Sequence, residues 1–269
     1  MFDNICKYLA ETFSEDYASW LLGKSISLTK LSPKELSLEP IRADSLILEQ
    51  SDDLVLHLEF QTEPDETMGF RMLDYRVRVY RRFPYKTMHQ VVIYLKKTES
   101  ALVYQDSFQL GETRHGYRVI RLWEESPEPF LSSPGLLPLA VLTQGQDAIT
   151  RLREVAQALD TIEDRSLKAN LTTATAVFGG LRVKPELIRT ILRSEIMKES
   201  AVYQEILQEG EQRGLLKGEQ LGRLKGKLEG KLEGKLEVAQ KLLDRGLSLV
   251  EVVTLTGLSE ETLQALQDD

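Results

Sequence analysis

Residues 40–82 read PIRADSLILEQSDDLVLHLEFQTEPDETMGFRMLDYRVRVYRR, and the order of patterns within them decides the fold. Asp44 opens a short apolar run, SLIL, and a polar turn, EQSDD, closes it. The next run, LVLHLEFQ at 54–61, alternates: Leu54, Leu56, Leu58 and Phe60 point one way, and Val55, His57, Glu59 and Gln61 the other. Together these runs predict a β-hairpin whose second strand has one apolar face. On its other face a carboxylate and a carboxamide, Glu59 and Gln61, stand side by side. A charged glutamate in so apolar a strand is costly unless it is paired or binds a metal. The stretch TMGFRMLDYRVRVYRRF then predicts a helix that Pro84 stops. Beyond it, HQVVIYLKK reads as a buried central strand, and ALVYQDSF and YRVIRLW as two more.

Around this stretch the chain has 269 residues, 42% apolar and 28% charged, values of a globular protein with a real core. No run of eighteen apolar residues predicts a membrane span. The opening MFDNICKYLAETF carries acids and no basic region before an apolar stretch. Cys6 is the one cysteine, which excludes an internal disulfide, and the expectation is a cytoplasmic protein. The three histidines, His57, His89 and His115, have no zinc-site spacing. Cys6 and Trp20 read as core, and His57 as a strand residue with a satisfied ring rather than a ligand.

Texture divides the chain at about residues 145, 209 and 237. Residues 1–145 hold most of the aromatic and β-type runs, and 146–209 read as helices broken at Gly179-Gly180. Residues 210–237 are a repeat with glycine at every fourth position from Gly210 to Gly234, ending in GKLE three times over. A period of four is near the helical 3.6, so each residue type makes a slowly drifting stripe. Each glycine costs a helix interior about 0.8–1 kcal/mol, which makes the segment a semi-helical spacer or a helix for self-association into a homo-oligomer. Residues 238–269 have the texture of a helix-turn-helix, but no basic residue follows Arg245, and five acids do. That charge argues against DNA reading by the tail.

The chemistry-bearing residues lie in the opening stretch. If the hairpin is antiparallel, Asp44 and Glu59 converge, and two mutually repelling carboxylates welcome a divalent cation. Hard oxygen ligands suit Mg²⁺, with the Phe60 carbonyl as a further donor. Such an ion activates water and stabilises charge on a phosphodiester in transit. Residues 66–86 carry six basic side chains against two acids, a local +4 in a chain of net charge −8. Arg71, Arg78 and Arg82 share one helix face with Tyr75, the basic footprint that nucleic-acid binding needs.

The runs RADSLIL, HLEFQT, FRMLDYRVRVYRR and QVVIYL, the charged GxxxG repeat and the tail LLDRGLSLVEVVTLTGLSEETLQAL resemble the Rpn family. These are recombination-promoting nucleases, also labelled transposases, of the PD-(D/E)XK nuclease superfamily. The resemblance implies an α/β fold: a restriction-endonuclease-like core with a central mixed β-sheet flanked by helices, followed by a helical C-terminal extension. It implies a Mg²⁺-dependent DNA endonuclease linked to recombination or mobile elements. Asp44 and Glu59 would hold the metal, and Gln61 would position the attacking water where many relatives carry lysine. Arg71, Arg78 and Arg82 would hold DNA phosphates. An acid of the first helix, Asp3, Glu11 or Asp16, would join the site. Because Gln61 orients only by hydrogen bonds and the chain is acidic, the alternative is a weak or inactive nuclease fold kept for DNA binding or self-assembly.

Overall fold

The computed structural model of the chain describes residues 2–31, 46–145, 147–192 and 196–267. Contacts group the chain into two compact units, Met1–Ile206 and Leu207–Asp269. The first unit begins with α1 (Phe2–Thr12) and α2 (Ser14–Leu22). Then come β1 (Thr29–Lys30), β2 (Leu46–Gln50), β3 (Leu54–Gln61), α3 (Met68–Arg82) and β4 (Thr87–Tyr94). A hairpin of β5 (Ser107–Leu110) and β6 (Thr113–Gly116) precedes β7 (Arg118–Arg121) and the one-turn α4 (Glu128–Leu131). Next are α5 (Ala148–Asp160), α6 (Arg165–Gly179) and α7 (Pro185–Leu192). The long α8 (Ala201–Asp244) leads to α9 (Leu249–Thr256) and α10 (Glu260–Gln267) in the second unit.

The expected mixed sheet is present, in the order β1-β2-β3-β4-β7. β2 and β3 pair antiparallel, from Gln50↔Val55 to Leu46↔Glu59, which is the hairpin read from the alternation. β4 lies parallel to β3, and β7 parallel to β4. The β3–α3–β4 crossover lays α3 over one sheet face. There Tyr75 and Val79 pack on Leu48, Val55 and Met88, while Met68 and Met72 pack on Val92 and Tyr94. The opposite face buries Leu54, Leu56, Leu58 and Phe60 against α1, α2 and the later helices. Both faces of β3 are therefore dry. The single apolar face expected from the pattern is corrected: His57 and Glu59 point into protein, not solvent, and each is 0% exposed.

Other departures are local. ALVYQDSF is not one strand: Ala101–Tyr104 is a 3₁₀ turn begun by Ser100, whose side chain accepts the Leu102 N–H, and Ser107–Leu110 pairs outside the main sheet. The run from Lys184 onward forms α7, a short 3₁₀ turn at Ile196–Glu199 and α8 rather than one helix. The texture change near residue 145 is no core boundary, because Leu152, Val155, Leu171 and Val202 share a hydrophobic cluster with Ile5, Leu58 and Ile93. The glycine repeat is helical throughout as part of α8.

Candidate active site

Glu59 sits near the C-terminal end of β3, and α3 supplies a charged partner. Arg71 Nη2 lies 2.9 Å from Glu59 Oε2, and Arg71 Nη1 lies 3.1 Å from Asp65 Oδ2. The guanidinium thus bridges the buried carboxylate to the loop before α3. Burial alone would pull the Arg71 charge down, but Glu59 and Asp65 overcome it and hold the group above its ordinary range. At Asp65, hydrogen bonds from Thr67 and then Arg71 outweigh burial and keep the carboxyl below its ordinary range.

Behind Glu59 runs a row of buried polar groups. His57 Nε2 is 3.4 Å from Glu59 Oε1, and His57 Nδ1 is 3.0 Å from Gln90 Nε2. Gln90 Nε2 also donates to the Met72 carbonyl at 2.7 Å, and Gln90 Oε1 lies 2.8 Å from His115 Nε2. The Tyr75 ring meets His57 edge-on at 5.1 Å between centroids. Burial and the nearby Glu59 charge push the Tyr75 hydroxyl up to about 12. Burial, Arg76 and His57 lower His115, which favours its neutral ring.

Gln61 extends past Glu59 to the rim of a cleft of about 310 Å³, lined by Phe2, Asp3, Phe60, Gln61, Thr62, Arg71 and Leu95. This sorts the three acids proposed from the N-terminal helices. Asp3 lines the cleft with Gln61. Glu11 instead pairs with Lys30 at 2.9 Å, and Asp16 accepts the Gly135 N–H at 2.8 Å. Asp44 lies outside the described residues.

The three arginines assigned to phosphate have different surroundings. Arg71 meets Glu59 as above, and Arg78 bonds Asp74 one turn earlier at 2.8 Å. Arg82, at the far end of α3, lies over the Phe83 ring with 5.8 Å from Cζ to the centroid, and it lines a separate hollow with Lys86. Tyr75, expected on the same outward face, turns to the sheet and is 6% exposed. The arginine stripe borders the buried face of α3, so its side chains can bend toward protein carboxylates as well as toward solvent.

Asp3, Phe60 and Gln61 line one cleft with Arg71, which pairs with the Glu59 carboxylate, and the side-chain oxygens of Asp3 and Gln61 are hard donors. That donor chemistry suits Mg²⁺. Among the described residues, no three His, Cys, Asp or Glu side chains meet as a metal-holding group. Sequence reading missed Gln90 and His115. A glutamine in the apolar run HQVVIYL was the signal for the first, because a buried amide must find partners. His115 has no such signal, since its strand joins the row only through folding.

In the second unit, Ala239, Val252, Leu258 and Leu263 form a small core that joins the end of α8 to α9 and α10. Glu251 caps α9 by accepting the Ser248 N–H at 2.9 Å and hydroxyl at 2.7 Å. Gly257, at φ +64°, ends the helix and turns the chain toward α10. Residues 232–268 match the family model described as "Rpn/YhgA-like nuclease family, C-terminal HTH domain". The C-terminal segment is thus similar to the C-terminal domain of that nuclease family. No curated protein and no solved structure matches the chain. The match falls on the tail whose texture reads as a helix-turn-helix, and it leaves residues 1–231 outside its span. Among the described residues, no helix is long and apolar enough to cross a membrane.

Proposed function

We propose that this Rpn/YhgA-like protein is a Mg²⁺-dependent DNA endonuclease that hydrolyses phosphodiester bonds, with a role in recombination or mobile elements. The observation that carries the reading is the cleft where Asp3 and Gln61 share a wall with Arg71, whose other side holds the buried Glu59. Glu59, Asp3 and the Phe60 carbonyl would hold the metal, together with Asp44 from the stretch outside the described residues. When bound, Mg²⁺ supplies an activated water and an opposing charge for the phosphodiester. Gln61 orients that water by hydrogen bonding, and Arg71 offers its exposed edge to a phosphate. Arg78 and Arg82 would extend phosphate contact along α3.

The test is nicking of supercoiled plasmid by the full chain with Mg²⁺. Glu59→Gln, Gln61→Ala and Asp44→Asn are each expected to abolish or strongly slow it. Nicking at the native rate by the Glu59 and Asp44 variants would refute the reading.

The Arg71–Glu59 pair favours one other reading, because the arginine already neutralises the carboxylate a metal would need. In that case the protein is an inactive nuclease fold used for DNA binding or assembly. Homo-oligomers would then form through residues 210–237, where Leu215, Leu216, Leu224, Leu228 and Leu232 are exposed on α8. Calorimetry with millimolar Mg²⁺ separates the two. No heat of binding, with an oligomer on size exclusion that depends on the repeat, favours the inactive module.

A further inference from the structure

The row behind Glu59 has a direction, and one backbone atom sets it. The Met72 carbonyl can only accept, so Gln90 must present its amide nitrogen there, at 2.7 Å. The same nitrogen faces His57 Nδ1 at 3.0 Å, so Nδ1 is the acceptor and carries no proton. Gln90 Oε1 is left facing His115 Nε2 at 2.8 Å, so that ring nitrogen donates. The proton of a neutral His57 ring is therefore on Nε2, the atom 3.4 Å from Glu59 Oε1. His57 is 0% exposed and Gln90 7%, so water does not compete for these bonds.

We propose that His57 is a positioning residue for Glu59, locked by Gln90 into the tautomer that donates from Nε2 to the carboxylate. The functional consequence rests on the nuclease reading above; the tautomer does not. A carboxylate rotates freely about its last bond unless both oxygens are engaged. Arg71 holds Oε2 and His57 holds Oε1, from α3 and from two residues earlier on the same strand. The carboxylate plane is thus fixed before any ligand arrives. Outer partners of this kind orient metal-ligating side chains, and their loss typically weakens metal affinity by about 10–100-fold.

Two measurements on the full chain test this. Imidazole nitrogen correlation spectra of labelled protein at pH 7.5 should show His57 protonated on Nε2 alone, and Gln90→Leu should abolish that fixed pattern. Titration calorimetry with Mn²⁺ alone should show His57→Leu binding about 10–100-fold more weakly than the native chain. His57→Gln sets an amide N–H at the place of Nε2 and should bind within about threefold of native, in line with one retained hydrogen bond. A proton on Nδ1 in the native chain, or native affinity in a folded His57→Leu variant, overturns the proposal. Native protein that takes up no Mn²⁺ overturns the nuclease reading and, with it, the role of His57 toward a metal. The measured tautomer then still decides the Gln90 lock.

Discussion

Arg71 and Glu59 form an ion pair of 2.9 Å in which the carboxylate is fully buried and the guanidinium is 28% exposed. Both residues have a second candidate partner: a divalent cation for Glu59 and a phosphate for Arg71. Under the nuclease reading, metal and nucleic acid would compete there with the protein's own charges.

Removing Arg71 should expose that competition. Arg71→Ala takes one cation away from the buried Glu59 and is expected to destabilise the chain by about 3–5 kcal/mol in metal-free buffer. Under the nuclease reading, Mn²⁺ should raise the melting temperature of Arg71→Ala more than that of the native protein. Equal shifts in the two proteins would mean that the ion does not bind at Glu59.

Gln61 offers a test on rate rather than stability. It is half-buried at the cleft rim, so truncation should leave the fold intact. Gln61→Ala is expected to slow plasmid nicking by roughly 10²-fold, the scale of a lost positioned group in proton-transfer catalysis. Gln61→Lys brings a positive charge to the water or phosphate and should nick faster than native. Quantified nicked plasmid against time checks both.

Glu49 should give the protein a pH-dependent stability unrelated to the cleft. Burial, and then the Glu11 charge, push its carboxyl up to about 7, while Lys30 acts in the opposite direction. Among the described residues, no group hydrogen-bonds the buried Glu49 Oε1. The folded state holds this proton more tightly than the unfolded chain, whose value is near 4.5. Stability from Glu49 is therefore full below about 4.5 and falls as pH rises to about 7. Glu49→Gln should flatten this fall and raise stability at pH 8 by on the order of 2–3 kcal/mol. Urea unfolding at pH 5 and pH 8 reads the difference.

Gly135 is a tight contact between the N-terminal helices and the loop before the later ones. An added Cβ would run into Phe13 Cβ, inside any tolerated contact. Gly135→Ala is expected to cost about 1–3 kcal/mol, as overpacking does. A thermal melt at the native value would show that Phe13 moves aside freely.

The alternation at 54–61 and the arginine-rich run at 68–82 made the hairpin and α3 legible, because each uses a local period. Burial of the second face of β3 was not legible. It depends on Tyr75 and Val79 returning over Val55, and no period in LVLHLEFQ reports what covers it. The polar row joins positions 57 and 90 through β3–β4 pairing and position 115 from the separate β5–β6 hairpin, none of them near another in sequence. Asp3 likewise emerged from three equivalent acids only when the cleft lining was known. In the repeat, glycine propensity pointed to a marginal helix, yet α8 runs unbroken. Its i,i+4 pairs, such as Lys241–Glu237 at 2.6 Å and Arg213–Glu209, support it locally.

Among the described residues, nothing lies within 4 Å of a Cβ added at any glycine of α8 from Gly210 to Gly234. At about 100° per residue, each four-residue step turns the glycine track by about 40°, so its six steps wind about 240° around the axis. A companion rod lying alongside would part from that track after about two turns of helix. Close backbone approach is thus confined to brief oblique crossings, and any full-length pairing has to rely on leucine and charge instead.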